Sequence, residues 1–345
     1  MSYLITGGCG FVGSNIAAHL IGRGEEVTVF DNLSRVGAVL NLDWLGTLGR
    51  FEFIHGDIRN PFDIDAAVCR CRPAAILHLA GQVAMTTSML SPRRDFEINV
   101  GGSINLLDAV KQHVPEAAVV YASSNKVYGD LPLDLEECAL RYRPRNYPDG
   151  IDESAPLNFQ TPYGCSKGAA DQYMLDYARG FGLNTVVFRH STIYGGRQFA
   201  TYDQGWVGWF CRQALELRHD PAREPFTISG DGKQVRDLLH VSDAIRCYLA
   251  AVEHVAVARG TAFNIGGGMP NSMSLLELFA HLEQRLGVKM TYRRLPWRHS
   301  DQKFFVANNA RAGKVLGWTP AMTTEAGIED VLSWIQSQLN PSSPW

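Results

Sequence analysis

The sequence lacks long hydrophobic runs, low-complexity segments and any excess of one charge. No apolar stretch approaches the ~18 residues that a membrane-spanning helix needs. The 345 residues carry a net charge of −3 and contain no basic run. That balance gives no electrostatic footprint for nucleic acid or for an anionic membrane. We therefore expect a small-molecule partner, with no nucleic acid and no membrane among the partners.

The cysteines form neither a disulfide pattern nor a metal pattern. The chain has seven, an odd number, and Cys69 and Cys71 have the wrong spacing for a metal knuckle. The first residues lack the charged and long apolar segments of a secretory signal. We therefore expect free thiols in a reducing cytoplasm and no bound metal.

Short apolar stretches alternate with longer amphipathic ones from the start of the chain. The apolar stretches are near-continuous, as in parallel strands that are covered by helices on both faces. This alternation predicts an α/β fold with a Rossmann-type doubly wound parallel sheet. The predicted strands are "YLIT", "EVTVF", "FEFIHGD", "AAILHLA", "AAVVYASS" and "NTVVFRH", and the main helices span residues 11–22, 96–113 and 163–181.

The regular alternation breaks after about residue 189, which predicts a smaller, interleaved C-terminal substrate lobe. We assign residues 1–188 and 237–265 to a dinucleotide-binding domain, and residues 189–236 and 266–340 to the second lobe. Ser274 and Glu277 have the spacing of a helix capping box. Residues 131–160 show no clear period and are expected to loop over another part of the molecule.

A glycine triplet follows the first predicted strand. Gly7, Gly10 and Gly13 are a variant of the Rossmann fingerprint, in which the backbone approaches a pyrophosphate at a helix N-terminus. Tight turns explain glycines equally well, but Asp31 closes the next strand where a ribose-binding acid is expected. An acid there favours NAD over NADP, because a 2′-phosphate would meet a negative charge. Arg35 weakens that preference.

Two further strand ends carry candidate ligand contacts. Asp57 and Ile58 follow the third predicted strand and could hold the adenine, although a simple turn aspartate fits the spacing nearly as well. Ala80 and Gln82 follow the fourth strand, at the carboxyl edge where open α/β sheets bind ligands. Gln82 is therefore expected to face the cleft.

A tyrosine and a lysine are candidates for proton transfer. Thr161 and Pro162 signal a helix start, and Tyr163 and Lys167 then lie on one helical face. An ammonium near a phenol should lower the tyrosine pKa from its usual value near ~10. Ser124 would complete the site by hydrogen-bonding the substrate oxygen. A Tyr-x-x-x-Lys pair alone is common on helix surfaces, so the prediction depends on its coexistence with the glycine triplet.

Together these residues resemble the extended short-chain dehydrogenase/reductases that modify nucleotide-activated sugars. Longer segments are similar, more narrowly, to the branch that interconverts CDP-paratose and CDP-tyvelose by inverting carbon 2 of the sugar. The resemblance covers essentially the whole chain and implies a tightly held NAD and a CDP-activated deoxyhexose or hexose as substrate. The segments are "FDNLSR", "HLAGQVAMTTS", "SSNKVYGD", "YGCSKGAADQYMLDYARGFGLNTVVFRHS", "YGGRQFATYDQGWVGWF" and "FTISGDGKQVRDLLH".

The resemblance implies roles for individual residues. Tyr163 would act as the general base, Ser124 would position the reacting oxygen, and Lys167 would hold the nicotinamide ribose and tune Tyr163. Arg236 and Arg298 would bind the diphosphate, although surface ion pairs explain both arginines equally well. Further cofactor contacts are expected from Phe11, Val12, Asn32, Ser34 and Asn99, and further substrate contacts from Gln82, Thr86, Ser88, Asn125, Thr192, Gln198 and Tyr202.

Lys126 is a separate prediction. If the strand stays extended beyond Ser124, then Ser124 and Lys126 point to the same side, and Lys126 contacts the sugar or its diphosphate. An outward-facing surface lysine is the alternative. His190, Ser191 and Thr192 depart from the asparagine of many related enzymes, so that phosphate contact does not transfer directly.

Three other functions stay open. A 4,6-dehydratase is disfavoured, because those enzymes place Asp-Glu directly after the catalytic hydroxyl, where this chain has Asn125 and Lys126. A 4-epimerase needs only a shifted sugar, and an NAD-sensing protein needs no proton-transfer group. Residues 96–113 and 163–181 could form the intersubunit bundle typical of the family, which implies a homodimer or homotetramer, but their apolar faces equally suit packing on the sheet.

Overall fold

The computed structural model describes residues 1–339. Its strands coincide with the short apolar stretches of the sequence, because continuous apolar, β-branched segments suit a sheet that is buried on both faces. The strands are β1 Ser2–Thr6, β2 Glu26–Asp31, β3 Glu52–His55, β4 Ala75–His78, β5 Ala118–Ser124, β6 Leu135–Glu137, β7 Tyr142–Pro144, β8 Asn184–His190, β9 Thr192–Tyr194, β10 Phe226–Ser229, β11 Val235–His240, β12 Thr261–Ile265, β13 Ser272–Ser274, β14 Tyr292–Leu295 and β15 Phe304–Phe305.

The helices alternate with the strands in the first half of the chain and cluster near its C-terminal end. A π-helical turn, Glu97–Gly101, joins two of them, and 3₁₀ turns span Asn125–Tyr128 and Met269–Asn271. The α-helices are α1 Phe11–Gly22, α2 Ala38–Leu48, α3 Pro61–Cys71, α4 Met85–Leu90, α5 Pro92–Phe96, α6 Gly102–His113, α7 Thr161–Phe181, α8 Trp206–His219, α9 Val241–Glu253, α10 Val255–Ala258, α11 Leu275–Leu286, α12 Ala310–Leu316 and α13 Thr324–Leu339.

Seven parallel strands form the central sheet, in the order β12, β8, β5, β4, β1, β2, β3. Helices α1, α2, α9 and α12 pack on one face, and α3, α6 and α7 pack on the other. The predicted doubly wound Rossmann-type fold is therefore confirmed. The chain runs outward from β1 to β3 and resumes at β4 on the other side of β1, which creates the switch point where such sheets bind ligands.

The later part of the chain builds a second core above this edge. Helices α8, α11 and α13 pack together with strands β10 and β14. The capping box predicted at Ser274 and Glu277 is confirmed, since both of its reciprocal hydrogen bonds are present. Strand β11 pairs with β9, β13 and β15 and not with the central sheet, so residues 237–240 lie in a separate sheet from β12.

Residues 131–160 carry two short strands, β6 and β7, which sequence periodicity did not reveal. The segment packs Ile151 and Ala155 against Tyr128 and Phe305, and the Ile151 amide donates to the Val306 carbonyl at 2.7 Å. It therefore ties the end of β5 to the second lobe. The division into two domains stays a prediction, and residue 340, the last one assigned to the second lobe, lies outside the described residues. Within residues 1–339, no helix is long and apolar enough to cross a membrane.

Candidate active site

The loop after β1 leaves room for a ligand at the start of α1. Gly7 has φ +69°, and a Cβ there would lie 2.6 Å from the Ala80 backbone nitrogen. A Cβ on Gly13 would collide with the Gly7 carbonyl oxygen. Gly10 precedes α1 and provides no side-chain cap, so the first amides of the helix are open to a ligand. Such a cradle suits the pyrophosphate of a dinucleotide.

Asp31 ends β2 beside this loop. Its carboxylate accepts hydrogen bonds from the Leu33 amide at 2.8 Å and the Cys9 amide at 3.0 Å, while burial raises its pKa. The carboxylate is therefore held in a fixed orientation at the edge of the cavity, as a ribose-binding acid requires. Arg35 lines the same cavity.

Asp57 follows β3 and is anchored by its own neighbours. Arg59 donates to one carboxylate oxygen at 2.7 Å and Asn32 donates to the same oxygen at 3.1 Å. The hydrogen bonds from Arg59 lower the pKa of Asp57 to about 2. The side chain is thus engaged within the protein, which leaves the backbone of Asp57 and the side chain of Ile58 for a purine.

One cavity of about 400 Å³ collects most of the predicted residues at the carboxyl ends of β1, β2, β4 and β5. Second-lobe residues from the segment after β8 close its other side. The predicted residues that line it are Gly7, Gly10, Phe11, Val12, Gly13, Asp31, Asn32, Ser34, Arg35, Asp57, Ile58, Ala80, Ser124, Tyr163, Lys167, Thr192 and Gln198.

Ser124 and Tyr163 meet in this cavity, at the end of β5 and the start of α7. Burial raises the pKa of Tyr163 to about 12, and a hydrogen bond with the Ser124 side chain acts in the opposite direction. Tyr163 is 9% exposed, so its hydroxyl lies in an environment of low polarity. The two hydroxyl groups could share one substrate oxygen, which is the geometry that proton transfer needs.

Lys167 lies one helical turn after Tyr163 and is almost completely buried. Burial lowers its pKa to about 7, while the carboxylates of Asp95 and Asp171 act to raise it. Its ammonium lies 4.4 Å from the centre of the Tyr121 ring. The pKa of Tyr163 is raised and not lowered, because burial outweighs the other influences, so the lowering that the sequence predicted is not found.

The start of α7 is fixed by Thr161. Its hydroxyl accepts the Gly164 amide at 3.2 Å, the capping hydrogen bond that the sequence predicted. The helix begins at Thr161, and this residue has φ +62°, which is rare for a β-branched side chain. The tight entry carries the chain from residue 160 directly into the turn that holds Tyr163.

Asn99 lies in the π-helical turn and behind the cavity wall. Its Oδ1 accepts a hydrogen bond from the Gln82 backbone N–H at 2.9 Å, and its Nδ2 donates to the Ser166 hydroxyl at 2.9 Å. π turns are frequent at functional sites because the extra residue redirects a side chain. Asn99 thus connects the loop after β4 with α7 and does not itself line the cavity.

Gln82, Thr86 and Ser88 do not face the cavity as expected. The Gln82 amide group bonds to the Ala84 backbone and donates to Asp95 at 2.7 Å, so it points towards α5 and away from the cleft. Thr86 donates to Asp203 at 2.9 Å, and Ser88 donates to the Met85 carbonyl at 2.7 Å. Local partners that the sequence did not reveal satisfy all three side chains.

Lys126, Arg236 and Arg298 form a cationic cluster, in which Lys126 and Arg236 face Asp301 and Arg298 lies near Lys126. Arg236 pairs with Asp301 at 2.9 Å, and the Lys126 ammonium lies 3.9 Å from the same carboxylate. Burial, with Arg236 next in importance, lowers the Lys126 pKa to about 8. Arg298 donates to the Tyr202 carbonyl at 3.3 Å. Asp130 also acts on Lys126 and Asp237 on Arg236, so the three side chains suit a diphosphate through their hydrogen-bond donors and not through an excess of charge.

The strand does not stay extended through Lys126, so the condition on which that prediction depended is not met. Strand β5 ends at Ser124, whose hydroxyl accepts the Lys126 amide at 3.2 Å as a 3₁₀ turn begins. Asn125 donates to Gln302 at 3.1 Å, and Lys126 also reaches Gln302 at 3.4 Å. The turn therefore directs both side chains to the second lobe, and Lys126, whose side chain is 18% exposed, is partly buried and is not an outward surface lysine.

Several cavity residues were missed by sequence reasoning. Arg197 donates to the Leu40 carbonyl at 2.7 Å and to Asn41 at 3.0 Å, so it fastens the second lobe over α2. His190 contacts Tyr248 at 2.9 Å, and burial lowers the His190 pKa to about 3. The position of Arg197 directly after "YGG" is the only sequence feature that could have indicated its role. The local sequence does not indicate its distant partners.

The sequence of residues 3–266 matches the model of the NAD dependent epimerase/dehydratase family. The chain belongs to this family. NAD is accordingly its cofactor, and the glycine cradle, the uncapped start of α1 and the fixed carboxylate of Asp31 fit that molecule.

Known members of the family cover the chain from end to end. It is 55% identical over 98% of its length to CDP-paratose 2-epimerase of Salmonella typhi, and covers 100% of that protein. The structure of UDP-glucose 4-epimerase of Thermotoga maritima with UDP-glucose has a TM-score of 0.83, 27% identity and coverage of 99% and 100%. UDP-glucuronic acid 4-epimerase of Bacillus cereus, in complex with UDP-glucuronic acid and NAD, has a TM-score of 0.82, 26% identity and coverage of 98% and 99%.

Proposed function

We propose that the protein is an NAD-dependent isomerase that inverts carbon 2 of a CDP-sugar and converts CDP-paratose to CDP-tyvelose. The observation that carries the proposal is the meeting of Ser124, Tyr163 and Lys167 in the cavity that also contains the glycine cradle. The 55% identity to a CDP-paratose 2-epimerase supports the choice of nucleotide and carbon. The function would serve carbohydrate metabolism, including the synthesis of lipopolysaccharide sugars.

The cofactor would lie against the glycine loop, with Asp31 at the adenine-side ribose and Lys167 at the nicotinamide-side ribose. When bound, NAD supplies a hydride acceptor that returns the same hydride, so no net oxidation occurs. Lys167 would hold that ribose through hydrogen bonds donated by its buried ammonium.

Tyr163 takes the proton from the hydroxyl on carbon 2 as the hydride leaves that carbon. Ser124 holds the same oxygen by a hydrogen bond, which places the carbon for transfer. The resulting 2-keto sugar turns over and presents its opposite face, and Tyr163 then returns the proton to the new hydroxyl. The substrate thus ends with the same atoms and the opposite configuration at one carbon.

The intermediate ketone has to stay bound while it turns. The cationic cluster would grip the diphosphate of the nucleotide, since guanidinium groups bind phosphate oxygens in pairs. Thr192 and Gln198 line the cavity and would border the sugar. Tyr202, which is 69% exposed, would cover the nucleotide from the second lobe. Residues 1–188 and 237–265 would hold NAD and the remaining lobe would hold the CDP-sugar.

A 4-epimerase of another nucleotide sugar is the second candidate. The catalytic side chains would be identical, because oxidation at carbon 4 needs only a different placement of the sugar. The similarity in fold to two 4-epimerase structures favours this candidate, but at 27% and 26% identity it is weaker than the resemblance that supports carbon 2. A non-catalytic NAD sensor has no need of the Ser124 and Tyr163 pair.

Assembly and location follow from the same proposal. Helices α6 and α7 would form the contact between subunits of a homodimer or homotetramer in the cytoplasm. Tyr173 and Phe181 on α7 are 43% and 52% exposed, and Phe96 is 51% exposed. Sedimentation velocity at several concentrations tests this, because a monomer at all concentrations would contradict it.

The decisive experiment is incubation of the purified protein with CDP-, UDP- and TDP-hexoses without added NAD. We expect inversion at carbon 2 of a CDP-deoxyhexose, detected by proton NMR of the sugar. Solvent deuterium should not enter the carbon-bound position, because the hydride is carried by the enzyme. Turnover of a UDP-sugar at carbon 4, with no CDP-sugar changed at carbon 2, would overturn the proposal in favour of the second candidate.

A further inference from the structure

Asp95 is a buried carboxylate that the mechanism does not use. It lies on α5 and is 1% exposed. Gln82 donates to its Oδ1 at 2.7 Å, and the Ser166 hydroxyl donates to its Oδ2. Neither partner is a cation, although a buried carboxylate is costly unless a nearby positive charge balances it.

The hydrogen bonds of Asp95 belong to a closed ring of Gln82, Asp95, Asn99 and Ser166, in which Gln82 is half-buried and the other three residues are buried. Asn99 closes the ring because its side chain donates to Ser166 and accepts a hydrogen bond from the Gln82 backbone N–H, each at 2.9 Å. Ser166 directly precedes Lys167, and its hydroxyl also lies 3.2 Å from the Tyr163 carbonyl oxygen. The ring therefore fixes the turn of α7 that carries both reactive side chains.

The titratable groups around Lys167 come from several elements. Asp95 and Asp171 both favour its ammonium form. Asp171 already accepts two hydrogen bonds from Arg189, each at 2.9 Å, so its charge is balanced by that guanidinium. His78 and His190 also face Lys167, and burial lowers the pKa of each to about 3, so both are neutral. The Tyr121 ring completes the surroundings.

We propose that Asp95 is a positioning residue of the epimerisation: its carboxylate fixes the turn of Tyr163 and Lys167 through Ser166, and its charge balances the Lys167 ammonium. The same carboxylate opposes ionisation of Tyr163. Asp95 thereby couples the two titrations that the reaction needs. The inference rests on the proposed function for the identity of the reaction, whereas the ring and the charge balance are independent of the substrate.

The test is Asp95→Asn in the NAD-loaded enzyme. Loss of the negative charge should lower the pKa of Lys167, because its ammonium loses a counter-ion, and should lower that of Tyr163, because its phenolate loses a repelling neighbour. Both limbs of the kcat profile should therefore move to lower pH by about one pH unit. Carbon-13 NMR of labelled lysine side chains should show the same displacement for Lys167, with Lys167→Arg used to assign its signal.

Two variants separate the charge from the scaffold. Glu97→Gln removes an exposed charge, paired with Arg93 at 2.6 Å, from the adjacent turn and should leave both profiles unchanged. Ser166→Ala opens the ring but keeps the Asp95 charge, so kcat should fall while the Lys167 titration stays in place. If Lys167 titrates with the same pH midpoint in Asp95→Asn as in the wild-type enzyme, the proposal is overturned.

The NMR titration distinguishes this proposal from the proposed function. If no CDP-sugar is turned over, the Lys167 midpoint still reports the effect of Asp95. Should Asp95→Asn fail to fold, Asp95→Glu carries the test, since it keeps the charge and loses the fit. That variant should lower kcat with the Lys167 midpoint unchanged, and a full wild-type kcat would contradict a positioning role.

Discussion

The hydroxyl of Tyr163 is the atom on which the proposed reaction depends. Tyr163→Phe keeps the ring in its buried place and removes the proton acceptor, so kcat should fall on the order of 10²- to 10⁴-fold with bound NAD retained. Turnover and the NAD content of the denatured protein are measured together. Tyr173→Phe on the exposed face of the same helix is the matched control. Tyr163→Phe activity above a tenth of wild type would contradict the assignment.

Lys126 tests whether the cationic cluster binds the substrate. Lys126→Ala should raise KM about tenfold, the effect of losing about 1.4 kcal/mol of binding, and leave NAD content unchanged. Because burial lowers the Lys126 pKa to about 8, the ammonium is lost as the pH rises through 8. The wild-type KM should therefore increase above that pH.

Lys126→Arg and Lys111→Ala are the controls for this prediction. The arginine stays charged throughout, so the variant should lose the rise in KM above pH 8 even if its fit lowers the affinity. Lys111 is exposed on α6 and packs over Phe181, far along the helix from the cavity edge. Equal KM values for wild type and Lys126→Ala across the pH range would show that the cluster does not bind the substrate.

At the scale of elements, helix α1 offers a matched pair of glycines. A Cβ at Gly13 would collide with the Gly7 carbonyl and lie 2.7 Å from the Gly8 Cα, so Gly13→Ala should distort the loop and abolish NAD retention. Gly22, at the other end of the helix, has no neighbour within 4 Å of such a Cβ. Gly22→Ala should stabilise the protein by about 0.5 kcal/mol, because alanine loses less backbone entropy in a helix. Measuring NAD content and the free energy of unfolding for both variants distinguishes the effect of Gly13→Ala from that of Gly22→Ala.

This element was predictable from sequence because its constraints are local. The glycines at positions 7, 10 and 13 follow a buried strand, and the bounds of α1 agree with the apolar pattern. The π turn at Glu97–Gly101 was not predictable, since one extra residue in a helical turn leaves no distinct apolar period. The orientation of Gln82 was not predictable either, because its partner Asp95 lies on a later helix and the local sequence does not indicate that contact.

At the scale of the whole molecule, the site depends on contacts between segments that are distant in sequence. Lys126 follows β5, whereas Asp301 and Gln302 come from the second lobe. Residues 131–160 add another such contact, because the Ile151 amide donates to the Val306 carbonyl, and periodicity alone cannot give these pairings. The resemblance to a family supplied the two arginines of the cationic cluster as residue types, and the tertiary fold supplies Asp301, which pairs with Arg236.

The stability of the whole molecule should fall on acidification because two histidines, the buried His78 and the partly buried His190, are neutral in the folded protein. Burial lowers the pKa of His78 and His190 from 6.5 to about 3. Below pH 6.5 the unfolded chain binds protons that the folded protein does not, so each histidine removes about 1.4 kcal/mol per pH unit until about pH 3. Asp237 offsets the destabilisation caused by one histidine, because burial raises its pKa from 3.8 to about 6. Between these two pH values the folded protein binds a proton at Asp237 that the unfolded chain does not.

His78→Gln isolates one of these contributions. The glutamine can replace one of the two hydrogen bonds that His78 forms with Thr6 at 2.7 Å and Ser103 at 3.1 Å, so the variant should be less stable at pH 7. It carries no titrating group, and its free energy of unfolding should therefore fall by about 1.4 kcal/mol less per pH unit between pH 6 and 4. His254→Gln at an exposed helix end should leave the slope unchanged. Urea unfolding at each pH measures the slopes, and parallel lines for wild type and His78→Gln would show that His78 is protonated in the folded protein.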